Sequence, residues 1–161
     1  MTGKTYGAFR WLSAILFVAV VVQVALAAFG AFDAVHKADH VSISKKTIEN
    51  SFTAHAVLGS LIVLVMLILL IIAAAGRAAP AHTKLVAVIL GLGVLQAVLG
   101  AVSSSVPAVG LLHGLNALAI FSATGILAHR TWTGEARVER GAPGPSSVAE
   151  ATVRTADAAP D

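Results

Sequence analysis

Two histidines, His55 and His113, each open a long apolar stretch of the chain, and each follows a glutamine, Gln23 and Gln96, set late in the preceding stretch. Asn116 lies one helical turn beyond His113. Polar side chains in such surroundings lose their hydration and must find partners. Two neutral imidazoles on separate helices can supply both axial ligands of a six-coordinate haem iron. With no position left open for oxygen, that centre suits electron transfer or holding the haem. The other use is structural: Gln, Asn and His hydrogen-bond across helices and bind nothing, each contact worth about 0.6–2 kcal/mol. An enzyme or quinone site in the same place would need a further acid, base or open ligand position, and no span contains Asp, Glu, Lys or Arg.

These residues recur in order. "QVALAAF" (Gln23–Phe29) aligns with "QAVLGAV" (Gln96–Val102), and "HAVLGSLI" (His55–Ile62) with "HGLNALAI" (His113–Ile120). The pattern reads as a 2+2 internal duplication, in which each half is a helix carrying Gln, a connection, and a helix opening with His. At 1.5 Å per residue, Gln23 lies about 18 Å beyond Trp11, and Gln96 about 16 Å beyond Leu85. All four polar side chains then share one leaflet, and alternating helices can turn them toward one interior space. Small neighbours (Ala56, Gly59, Gly114 and Ala117) would admit a porphyrin, and Lys37, Lys45, Lys46, His36 or His40 can meet its propionates. The expected cofactor-binding set is therefore His55, His113, Gln23, Gln96 and Asn116 for haem b, with the two histidines on the iron and the glutamine side chains bonding the ring edge or histidine Nδ1.

The elements that must position them are four apolar segments, about 11–32, 51–75, 85–102 and 108–128, each near the ~20 residues needed to span a bilayer. The chain of 161 residues is 57% hydrophobic and 12% charged, about half the charge of a soluble domain, with mean hydropathy +0.86. The third and fourth segments divide at Ser103–Pro107, where Pro107 suits the first turn of a new helix. The first segment has basic residues before it (Lys4, Arg10), but its apolar run exceeds a signal peptide's ~7–15 residues and reads as a retained helix.

The expected fold is an all-α, integral-membrane four-helix up-down-up-down bundle over residues 1–132, with a disordered tail over 133–161 rich in Ala, Gly, Pro and Ser. Lys4, Arg10, Arg77, Lys84 and Arg130 fall on one side. Lys37, Lys45 and Lys46 share the other with Asp33, Asp39 and Glu49, in an outer loop with room for a short helix. The bias puts both termini in the cytoplasm. Trp11 and Trp132 fall at that same interface as anchors. The net charge of +3 belongs to those flanks; no basic stripe with interleaved aromatics points to nucleic acid. The absence of cysteine excludes disulfides, thiolate metal sites and cysteine nucleophiles.

Three lesser features remain. His36 and His40 have the i, i+4 spacing of a helical metal pair beside Asp33 and Asp39, a pattern a solvated loop also produces. Gly110-x-x-x-Gly114 suits close helix packing. His82 and His129 flank the spans on the cytoplasmic side.

Gln-x-x-Leu-small-Ala closing one helix and His opening the next resembles one four-helix half of the haem A synthase family. That resemblance implies histidines from the second and fourth helices, here His55 and His113, facing a haem at the outer side. The chain from about Phe9 to Arg130 also resembles an uncharacterised family of small four-span bacterial membrane proteins, through Leu112-His113-Gly114-Leu115-Asn116-Ala117 and the first-helix Gln. Haem A synthases have two such halves, an outer-loop cysteine pair, a Glu three residues before the first histidine and an Arg just after it. This chain has one half, no cysteine, and Phe52 and Ala56 at those positions. The resemblance therefore implies the haem-binding scaffold and not haem A synthesis. The expected protein is a small multi-pass component of the cell membrane. Its expected partners are the lipid bilayer and a membrane redox partner or a second copy.

Overall fold

The computed structural model describes residues 3–39, 42, 44–76 and 78–133. His40, Arg77 and all of the expected tail beyond Thr133 lie outside the described residues. The described chain forms five helices: α1 (Gly3–Ala38), α2 (Lys45–Ser51), α3 (Thr53–Ala75), α4 (Pro80–Ser103) and α5 (Val109–Thr133). Four of them, α1, α3, α4 and α5, are long and apolar enough to cross a bilayer, which marks the chain as a membrane protein. Their many Val and Ile residues are indifferent helix formers in water. In hydrocarbon every backbone amide must bond within its own segment, so the helix prevails.

α1 has 36 residues and is about 54 Å long at 1.5 Å per residue, against ~30 Å of hydrocarbon. The surplus lies at its ends, where Lys4, Arg10, Asp33 and Lys37 sit. α2 is the short helix expected in the loop. Ser44 caps it, its hydroxyl accepting from Thr47 N–H at 3.1 Å. Pro107 corrects the expectation that it begins the last helix. It stands two residues before α5, in a turn where Gly110 N–H bonds its carbonyl at 2.9 Å. The serine run before it has already ended α4, so Pro107 belongs to the connection.

Each long helix packs against two others, α1 on α3 and α5, and α4 on α3 and α5. At one end, here called the Trp end, Tyr6 Oη donates to the Thr131 carbonyl at 2.7 Å, Trp11 meets Trp132 edge-on at 5.2 Å, and Arg10 lies over the Trp132 ring at 4.4 Å. At the other, the α2 end, Gly30 of α1 lies so close to Ser51 and Phe52 that a Cβ would fall 2.8 Å from the Phe52 ring. α1 therefore runs antiparallel to both α3 and α5.

Between these ends the core is a ladder. Buried positions fall at Phe9, Ser13, Leu16 and Val20 in α1, at Ile62, Met66, Leu69 and Ala73 in α3, at His82, Val86, Ile89 and Gly93 in α4, and at Asn116, Ile120, Thr124, Leu127 and Thr131 in α5. The steps of three and four are those of helices crossing at a shallow angle. Small rungs let the backbones approach: a Cβ on Gly93 would lie 2.5 Å from Met66 Sδ. The ladder stops at Val20, Ile62, Gly93 and Asn116. Beyond those rungs, toward the α2 end, lie the two glutamines and two histidines.

Candidate functional site

His55 occupies the first turn of α3, and His113 the second turn of α5. Both are half-buried. Their rings are neighbours beyond the ladder, with centroids 6.3 Å apart and planes at 59°. Each ring is held in the same way. His55 Nδ1 lies 3.1 Å from the backbone carbonyl of Gln23, and His113 Nδ1 lies 3.2 Å from the backbone carbonyl of Gln96. A carbonyl only accepts, so in the neutral ring Nδ1 carries the proton and Nε2 carries the free lone pair. The residues paired by the internal repeat thus make the same contact in both halves.

The glutamine side chains do something else, which corrects the expectation that they would bond histidine Nδ1. Gln23 Nε2 donates to the His55 backbone carbonyl at 2.8 Å. Gln23 Oε1 is buried and accepts no hydrogen bond among the described residues. Exchanging the amide's O and N would set two oxygens against each other, so this orientation is the consistent one. Gln96 Oε1 instead accepts from Asn116 Nδ2 at 2.7 Å, and the same Nδ2 donates to the Leu92 carbonyl at 2.9 Å. The Gln–His relation is carried by backbone oxygens because each glutamine's side chain already serves the neighbouring helix.

Glycines make the room. A Cβ at Gly59 would lie 2.9 Å from Gln23 Nε2, and one at Gly100 would lie 3.1 Å from His113 Cε1. Gly100 was not among the expected site residues, although its place four residues beyond Gln96, on the same helix face, was a usable signal. By contrast a Cβ at Gly110 or Gly114 would meet nothing within 4 Å. The Gly-x-x-x-Gly expectation of close helix packing is therefore corrected: within this chain that face of α5 is open. Gly114 and Ala56, each next in sequence to one of the two histidines, are exposed.

Of the groups expected near a propionate, Lys37 bonds Asp33 and Ser51, and Lys45 lies 3.7 Å from Glu49. Lys46 is exposed. His36 stands beside this loop in the last turn of α1, and His40 is outside the described residues. Among the described residues no three His, Cys, Asp or Glu side chains gather as a metal-ion cage. His82 is a buried rung at the Trp end of α4, and His129 is exposed near the end of α5, both remote in sequence from the imidazole pair. Compared with models of known families, with curated proteins and with solved structures, the chain matches none.

Proposed function

We propose that the protein binds haem b between His55 and His113, for electron transfer or haem handling. The observation that carries this reading is the paired imidazole geometry. A metal about 2 Å from each coordinating nitrogen sets two opposed imidazole centres roughly 6 Å apart, and these stand 6.3 Å apart. Both Nδ1 atoms are occupied by carbonyls, which leaves both Nε2 atoms as the donors a metal needs and strengthens their basicity. The donor set fits a bis-histidine haem.

Bound haem supplies one-electron chemistry between ferric and ferrous iron. The chain's own work is to hold two imidazoles in one tautomer, with His55 and His113 as the residues that would hold the iron, and to surround them with helix backbone and small side chains. Gln23 and Gln96 fix the rings through their carbonyls. Asn116 holds the Gln96 side chain in place. In this reading the helices form an up-down-up-down bundle with both termini in the cytoplasm and the haem in the outer leaflet. The support is the distribution of cations: Lys4, Arg10, Lys84 and Arg130 at the Trp end, where the described residues include no Asp or Glu, and Asp33, Asp39 and Glu49 with Lys37, Lys45 and Lys46 at the other. A membrane redox protein or a second copy is the partner such a centre would need.

A second reading has one observation in its favour. The Gln23–His55 contacts are reciprocal, side chain to backbone in each direction, which is how a cofactor-free helix pair would satisfy both groups. The protein would then be a structural or interaction subunit of a membrane complex. Titrating haemin into purified protein in detergent separates the two. The haem reading expects saturation at one haemin per chain and loss of that stoichiometry in both His55→Ala and His113→Ala. The structural reading expects no saturable binding, with both variants lowering only the unfolding midpoint.

A further inference from the structure

A groove toward the Trp end of the molecule stands apart from the imidazole pair. α1 and α5 leave an open, shallow groove of about 570 Å³ between them. Its walls are Phe17, Phe121, Gly125 and Ile126, and its mouth carries His129 and Arg130. From Phe121 to Arg130 the wall rises about 13 Å at 1.5 Å per residue, so the groove runs from mid-helix to the membrane interface. The Phe17 and Phe121 rings lie tilted against each other with centroids 5.3 Å apart and line it together.

We infer that this groove binds one anionic phospholipid, an acyl chain along the Phe17–Phe121 wall and the phosphate against Arg130. Charge complementarity selects that occupant. Among the described residues the Trp end holds Lys4, Arg10, Lys84 and Arg130 and no carboxylate. Arg10 lies over Trp132, while Arg130 is exposed at the groove mouth. Among the described residues no carboxylate meets that guanidinium, and its planar fork suits a phosphate. Its place in the last turn of α5 also suits the helix dipole, as any terminal cation does. The apolar groove wall beside it is what a dipole-capping residue would not require. A zwitterionic lipid can lie along the same wall, but its own cation finds no carboxylate among the described residues of this end. Basic pockets between helices are recognised sites for anionic headgroups.

The test is native mass spectrometry of the detergent-purified protein with phosphatidylglycerol and phosphatidylcholine in competition. Wild-type protein should retain one phosphatidylglycerol with about a five-fold preference, the effect of one interfacial cation. Arg130→Gln should bring that preference near unity. Ser122→Trp, from an exposed position on the groove wall, should remove the tightly held lipid of either kind. Lys84→Gln, a cation at the same end and outside the groove, should leave the preference intact. An unchanged preference in Arg130→Gln, or an equal loss in Lys84→Gln, would overturn the site and leave only diffuse surface charge.

Discussion

The two Gln–His units share one contact and differ in everything around it. In each, the backbone carbonyl of the glutamine meets Nδ1 of the histidine, at 3.1 Å and 3.2 Å. In the first unit Gln23 reaches across to α3, Gly59 gives its amide room, and its Oε1 is left without a donor. In the second, Gln96 turns to Asn116, and it is the histidine that needs a glycine, Gly100, on the opposing helix. The position equivalent to Asn116 in the first unit is Leu58. Two different local arrangements thus make one and the same Nδ1–carbonyl contact.

That comparison can be broken unit by unit. The largest effect is expected from Gly100→Val, whose side chain would occupy the place of the His113 ring. Overpacking of this kind costs about 1–3 kcal/mol, and the unfolding midpoint in detergent should fall clearly below wild type. Asn116→Leu makes the second unit resemble the first. It removes both donors to Gln96 and Leu92, at about 0.6–1.7 kcal/mol per contact in a membrane, a smaller but measurable drop in the same assay. Gln23→Leu removes one bond and one unpaired buried oxygen together. Those effects oppose each other, so the net change should be less than about 0.6 kcal/mol. Gly114→Ala, with open space around its Cβ, should leave the midpoint where it was. If Gly114→Ala proved as damaging as Gly100→Val, the assignment of the open and closed faces of α5 would be wrong.

The four long helices were legible because a bilayer demands ~20 apolar residues and the chain offers four such runs. Their buried faces were not. Leu61 and Leu64 on α3 are exposed while Ile62 and Met66 are buried, and nothing in their hydropathy separates them, since lipid is as apolar as a protein core. What distinguishes the core rungs is size and fit, as at Gly93 under Met66, and that appears only once helices are paired. At the site, residue types and order were enough to nominate His55, His113, Gln23, Gln96 and Asn116. They could not reveal that backbone carbonyls, rather than glutamine amides, hold the imidazoles, because every residue has a carbonyl. Pro107 and the Gly110–Gly114 pair misled for a related reason: each motif fits several local geometries, and the neighbouring chain decides which one forms.

The central claim is that both imidazoles present Nε2 to one iron. Its most direct test is the visible spectrum of protein purified in detergent from haem-replete cells, oxidised and dithionite-reduced, beside His55→Ala and His113→Ala. The account predicts a Soret band with sharp reduced α and β bands in wild type, lost from both variants. A colourless, folded wild-type protein that stays colourless after haem is supplied would contradict it, and the Gln–His units would then be packing contacts alone.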